Sequence, residues 1–282
     1  MAAFPAGLVW LASYPKSGNT WMRILLANLL AGRAEPADIN RLSEEESLMG
    51  RWRFGDDMLV DADLLDSREL ARMRPLHAGF VASRQTTPFF CKTHDRFAGE
   101  DGAPSLGAAA RGAVYLLRDP RDVAISLAYH LGATVDEALA RMTDPAHHFG
   151  GARQLPYLLG DWGGHVAGWT GQGLTPTHVV RYEDLRRDTA AVLRGVLRFL
   201  GGQATEVEVS RAIAHSSLEA LQGQEAAKGF RERQPGQARF FRAGQVGEWQ
   251  RVLTPAQLET IEEHFGAVMI RFGYAPAGAT PG

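Results

Sequence analysis

The chain has 282 residues, 45% hydrophobic and 22% charged, and its 30 basic against 32 acidic side chains leave a net charge of −2. These figures exclude disordered, collagenous and coiled-coil chains and a globally basic nucleic-acid binder. The single cysteine, Cys91, excludes an internal disulfide framework and a cysteine-built zinc site, and it fits a reducing, cytoplasmic setting.

No apolar run approaches the ~20 residues needed to cross a bilayer. The nearest are Leu8–Ala12 and Ile24–Ala31, and no basic stretch precedes the first, so neither a membrane anchor nor an export signal is expected. Four short apolar runs predict strands at Leu8–Ser13, Pro88–Thr93, Ala113–Leu117 and His178–Tyr182, each leading into polar or Gly/Pro punctuation. Continuous apolar strands alternating with helix-period segments imply a sheet buried on both faces. The expected fold is therefore a single α/β domain, residues 1–282, with a central, mostly parallel sheet flanked by helices. Helical stripes appear at Trp21, Ile24, Leu25, Asn28 and Leu29, and again at Val192, Val196, Phe199 and Leu200. In the last helix, Leu258, Ile261, Phe265, Val268, Met269 and Phe272 form the stripe, while Thr254, Pro255 and Gln257 supply an N-cap, an N1 proline and a capping-box partner. The core is expected over about 8–274. Residues 33–75, 99–112 and 144–173 look less regular and are expected to wall a substrate site.

The first strand runs into YPKSGNTW, residues 14–21, and then a helix. Unpaired backbone N–H groups at a helix N-terminus attract phosphate or sulfate. Lys16 adds a charge, Ser17, Asn19 and Thr20 add side-chain donors, and Gly18 permits close backbone approach. The ATP/GTP loop G-x-x-x-x-G-K-[ST] is not matched, because Lys16 precedes the glycine. The second strand ends at Lys92-Thr93-His94, which sends a cation and a potential base to the same side. After the third strand, Asp119 and Pro120 can open a helix. Arg118 then lies at a strand's carboxyl end and Ser126 lies two turns on, where both can hold one phosphate; the alternative is that Arg118, Asp119, Arg121 and Asp122 form surface ion pairs. Residues 228–242 carry five basic groups against one acidic and are expected to form an anion-gripping flap.

Together these segments resemble the cytosolic-type sulfotransferases, which move a sulfuryl group from 3′-phosphoadenosine 5′-phosphosulfate (PAPS) to a hydroxyl or amine. YPKSGNTW is similar to the family's P-loop-like 5′-phosphosulfate loop, and Arg118 with Ser126 to its 3′-phosphate pair. Tyr182, Ser216 and Leu218 resemble its adenine-binding segments, and Arg242 and Gly244 its phosphate clamp. The resemblance implies PAPS as donor, adenosine 3′,5′-bisphosphate as product and no metal. It makes His94 the general base, with Lys92 and Lys16 stabilising charge and Trp21 stacking on adenine. The acceptor it implies is a small hydroxylated molecule; aromatic side chains such as Trp52, Phe54, Phe149, Tyr157 and Trp162 either wall an apolar pocket, favouring a phenol or lipophilic alcohol, or pack in the core, which leaves a sugar or an amine as the alternative acceptor. No nucleic-acid or membrane partner is expected. Two positions depart from the pattern: Ala243 replaces a lysine of the clamp, and Leu218 replaces an aromatic over the adenine. The family's dimer motif reads here as Gln250, Thr254, Pro255 and Glu259, which leaves the oligomeric state open. From the residues alone, a P-loop-type kinase and a non-catalytic nucleotide-binding module are the competing classes.

Overall fold

The structure, a computed structural model, describes residues 2–42, 47–151, 154–242 and 244–275. Its strands are β1 (Gly7–Ser13), β2 (Pro88–Thr93), β3 (Gly112–Leu117), β4 (His148–Gly151), β5 (Gln154–Leu158) and β6 (Thr177–Arg181). Its helices are α1 (Asn19–Ala31), α2 (Arg51–Met58), α3 (Ser67–Ser83), α4 (Pro120–Leu131), α5 (Val135–Met142), α6 (Trp162–Gly171), α7 (Tyr182–Arg187), α8 (Thr189–Leu200), α9 (Glu206–His215), α10 (Leu218–Lys228), α11 (Trp249–Val252) and α12 (Pro255–Arg271). The central sheet is parallel in the order β2-β1-β3-β6, and β4 and β5 form a separate antiparallel hairpin. All four strands expected from the sequence are present, within a residue at each end.

Alternation along the strands divides the core in two. Leu8, Trp10 and Ala12 of β1 and Ala113, Tyr115 and Leu117 of β3 pack on the side of α3, α4, α6 and α12. Val9, Leu11, Val114 and Leu116 pack on the other, against Met22 and Leu25 of α1, Leu193 and Val196 of α8 and Val209 of α9. With both faces covered, β1 and β3 have no solvent side, which is why their sequences read as unbroken apolar runs.

Two insertions are more regular than their sequences suggest. Residues 33–75 contain α2 and the start of α3, which runs through Pro75 behind a complete capping box of Asp66 and Glu69. Residues 144–173 contain the β4–β5 hairpin and α6. Residues 99–112 stay irregular as far as β3, with Leu106 and Ala110 buried in the core. The C-terminal helix follows its expected cap: Thr254 accepts from Gln257 N, Gln257 returns the bond, and Pro255 opens the helix.

A buried polar chain links α6 to the strand ends. His165 Nε2 lies 3.2 Å from the His94 carbonyl oxygen and must donate to it, so its Nδ1 accepts from the Tyr115 hydroxyl at 2.8 Å. Trp169 Nε1 donates to the Asp95 carbonyl at 2.8 Å, and Asp95 also pairs with the buried Arg74. Burial holds the His165 pKa down to about 4.

Leu11 is fully buried in the central strand, so Leu11→Ala should cost about 2–5 kcal/mol in chemical denaturation, against about 1 kcal/mol for loss of the exposed cap in Thr254→Ala. Between pH 6.5 and about 4 the unfolded chain binds a proton at His165 that the folded chain refuses. Stability should therefore fall as pH falls through that window, by up to about 1.4 kcal/mol per pH unit from this group, and His165→Gln should flatten the slope of a Tm against pH plot.

Candidate active site

β1 and β3 lie side by side, but the chain leaves them for opposite flanks of the sheet, β2 and β6. That divergence opens a crevice at their carboxyl ends. A cavity of about 990 Å³ occupies it, lined by every residue expected to bind the donor or to act in the transfer except Ser17, whose hydroxyl is buried beneath the loop without a partner.

The loop after β1 is tight. Lys16 and Gly18 both have positive φ, 69° and 98°, and a Cβ on Gly18 would stand 2.7 Å from the Tyr182 ring, so glycine is required. Asn19 Nδ2 fastens the loop from inside, donating to Leu11 O at 2.7 Å and Ser13 Oγ at 3.3 Å. No side chain caps α1 at Gly18, so its first-turn N–H groups keep their partial positive charge for a ligand. Burial, then Lys92 and Arg118, lowers the Lys16 pKa to about 8, and the Lys16 ammonium lies 4.6 Å from the Phe240 ring centroid.

Arg118 closes the crevice from the β3 side. It donates to Lys16 O at 3.2 Å and Gln245 O at 3.0 Å, lies over the Tyr182 ring at 4.5 Å, and has a buried Nε without a partner. Ser126, on α4, faces the same cavity. The neighbouring charges are no surface ion pairs. Arg118, Asp119, Arg121 and Asp122 are all buried. Asp119 caps α4 and binds the Arg121 guanidinium at 2.9 and 2.7 Å, while Asp122 accepts from Gly247 N and Trp249 N at 2.8 and 3.1 Å. The run is a strut between the end of β3 and the C-terminal segment.

Beyond the loop, Trp21 Nε1 donates to Ser216 O at 2.9 Å, Asn28 Nδ2 to Ser216 Oγ at 3.0 Å, and Trp21 meets Tyr182 edge-on. Trp21, Tyr182, Ser216 and Leu218 all line the cavity here. On the opposite side stand Lys92 and His94. His94 Nδ1 lies 2.7 Å from the Ser13 carbonyl oxygen, and a carbonyl only accepts, so Nδ1 carries the proton and Nε2 keeps its lone pair. Burial and the adjacent Lys92 lower the His94 pKa to about 3, so the imidazole is neutral in the free protein.

The segment 228–242 differs from the expected basic flap. Lys228 pairs with Asp38 at 2.9 Å outside the cavity, and Arg242, although at the cavity edge, binds Glu248 at 2.8 and 2.5 Å. Instead the segment's one acidic residue, Glu232, reaches the phosphate loop. Gly244, φ 56°, lies against the Tyr182 hydroxyl, and Ala243 falls outside the described residues. Of the aromatic residues in the insertions, Trp52, Phe149 and Tyr157 line the cavity, whereas Phe54 and Trp162 are core. Residues 99–112 contribute nothing to the lining. Sequence reasoning missed Glu232, Arg23 and His130, all on the cavity wall; His130 shares α4 with Ser126 at one turn's spacing, the one signal that pointed to it. Among the described residues no group of three or more His, Cys, Asp or Glu is placed to hold a metal, and no helix is long and apolar enough to cross a membrane.

The chain is similar to sulfotransferase 2A6 of Rattus norvegicus, 26% identical over 96% of this chain and 86% of the relative, and to sulfotransferase 2A2 of Mus musculus, 27% identical over 95% and 85%. Among solved structures, mouse sulfotransferase SULT7A1 in complex with PAP superposes with a TM-score of 0.58 at 20% identity, covering 94% of this chain and 85% of that one. Retinol dehydratase with androsterone and PAP gives 0.59 at 21% identity over 93% and 80%, and its complex with retinol and PAP gives 0.57 at 20% over 97% and 83%. These likenesses concern the fold. The sulfotransferase domain profile matches residues 7–273, nearly the whole chain, and the protein belongs to the sulfotransferase family.

Proposed function

We propose that this sulfotransferase takes its sulfuryl group from PAPS, bound along the crevice, and transfers it in line to the hydroxyl of a small aromatic or lipophilic acceptor in the cytoplasm. The observation that carries the reading is the His94 imidazole, held by Ser13 with its free Nε2 in the same cavity as the phosphate loop and Lys92. PAPS supplies an activated sulfuryl group on a phosphate leaving group. The fit of the residues is supported by two buried orphans at the crevice, Ser17 Oγ and Arg118 Nε, which lack the partners that phosphate oxygens would provide.

Each residue then has a physical task. Arg118 and Ser126 hold the 3′-phosphate, while Trp21, Tyr182, Ser216 and Leu218 hold the adenine. Lys16, Ser17, Gly18, Asn19 and Thr20 bind the 5′-phosphosulfate, and Gly244 offers its backbone. Arg242 must exchange Glu248 for phosphate before it contributes. Lys16 and Lys92 stabilise charge that grows on the leaving and transferring oxygens, and such preorganised cations outweigh covalent help in this class of transfer. His94 Nε2 accepts the acceptor's proton. Leu42, Met49, Trp52, Leu131, Phe149 and Tyr157 make an apolar wall beyond His94, which suits a lipophilic acceptor. The androsterone and retinol held by retinol dehydratase agree with that choice.

Adenosine 3′,5′-bisphosphate should raise the Tm more than 5′-AMP or Mg-ATP, and Arg118→Ala should erase its advantage over 5′-AMP; a preference for Mg-ATP would point to phosphoryl transfer instead. His94→Ala should lower kcat by about 10²–10⁴ with bisphosphate affinity held within about threefold. Because His94 gains its proton only near pH 3 in the free protein, the acid limb of kcat/KM should lie well below the ordinary histidine value of about 6.5.

A further inference from the structure

Residues 229–242 cross the cavity between two anchors. At the start, Asn40 donates to Gly229 O at 3.0 Å and accepts from Arg231 N at 2.8 Å. At the end, the buried Glu225 carboxylate accepts from Phe240 N and Phe241 N at 2.7 and 3.0 Å, and Gln222 donates to the carbonyls of Phe241 and Arg242 at 2.8 and 2.9 Å. Between these anchors the segment sends Glu232 into the reacting region. One carboxylate oxygen accepts from the Thr20 hydroxyl at 3.0 Å and lies 3.5 Å from Lys92 Nζ; the other accepts from Arg23 at 2.5 Å. Thr20 is on the phosphate loop and Lys92 is two residues from His94, so the carboxylate stands between the donor's loop and the base. Arg118 and Ser126, on α4 and its approach, are no partners of it. Lys92, Arg23 and Thr20 hold Glu232 ionised, well below the usual carboxylate range.

Resting on the reading of PAPS as donor, we propose that the Glu232 carboxylate and the donor's terminal sulfuryl group share one seat, and that PAPS must displace the carboxylate whereas adenosine 3′,5′-bisphosphate need not. The carboxylate draws on Lys92 and the Thr20 hydroxyl, both assigned to that anion, and two anions at one seat repel strongly where water is scarce. The product carries its 5′-phosphate on the loop but has no group to put between Thr20 and Lys92. Displacement therefore weakens donor binding selectively, since a ligand that binds only the fraction of molecules with an open seat has its affinity reduced by that fraction. The same carboxylate keeps Lys92 and Arg23 neutralised between turnovers and denies the seat to small anions.

The test compares the full-length wild-type chain with Glu232→Gln and Glu232→Asp by titrating tryptophan fluorescence with each nucleotide, without acceptor. Glu232→Gln should tighten PAPS at least tenfold while bisphosphate changes less than threefold. Glu232→Asp, one methylene shorter and unable to span Arg23 and Thr20, should shift the PAPS-to-bisphosphate ratio in the same direction. With saturating bisphosphate, inorganic sulfate should raise the Tm of Glu232→Gln but not of the wild type. An unchanged ratio in both variants, or equal changes for both nucleotides, overturns the proposal and leaves Glu232 as an anchor of the segment. Should Arg118→Ala leave bisphosphate affinity untouched, the donor reading itself fails, and that result is separate from any effect at Glu232.

Discussion

One buried guanidinium fixes the crevice. Arg118 bonds the carbonyl of Lys16 in the loop after β1 and that of Gln245 near the C-terminus, lies over Tyr182 at the end of β6, and faces Asp122 on α4. Four parts of the chain thus meet on one cation. Taking a cation out of water is costly unless its donors are met. Here two neutral carbonyls and a ring face meet part of that need and the buried Nε stays open, so the cation both fixes the crevice and keeps donor capacity for a ligand. Asp122 is engaged by two backbone N–H groups as well, which ties the same point to α11.

Both central histidines are fixed by carbonyls rather than carboxylates. Ser13 O sets the His94 tautomer, and His94 O in turn sets that of His165, whose other nitrogen takes the Tyr115 hydroxyl. A carbonyl orients an imidazole without lending it negative charge. The base is thereby aimed, while burial and the adjacent Lys92 keep its proton affinity low.

The strands and the phosphate loop were legible because their physics is local: unbroken apolar runs, a glycine at positive φ in a tight loop, an aspartate and a proline at the start of α4. What lay hidden depended on tertiary contacts. Helix α6 has four glycines in ten residues and reads as loop, yet Trp162, His165 and Trp169 each bury fully or nearly so and override propensity. Pro75 looks like a boundary, but the capping box at Asp66 carries the helix past it. In the segment 228–242 the sequence counts five bases and one acid, and charge counting favours an anion grip. The segment's course is held by Asn40, far away in sequence, and by Glu225 just ahead of it, and no local pattern shows that this course brings Glu232 to Thr20.

The β4–β5 hairpin is also joined to a second insertion. Leu155 N donates to Met49 O at 2.8 Å, and Gly50 bridges to Gln154, so two insertions about a hundred residues apart are stitched by main-chain bonds into one wall. Neither belongs to the sheet that carries the phosphate loop. Main-chain stitching is indifferent to side-chain identity, so the exposed Trp52 and Phe149 are free to vary while the wall keeps its place, whereas Met49 and Tyr157 are buried in the core. A fold built this way can change the molecule it accepts by substitution at a few exposed positions and leave the transfer chemistry intact, which is the arrangement expected of a scaffold that has diversified through its acceptors rather than its donor.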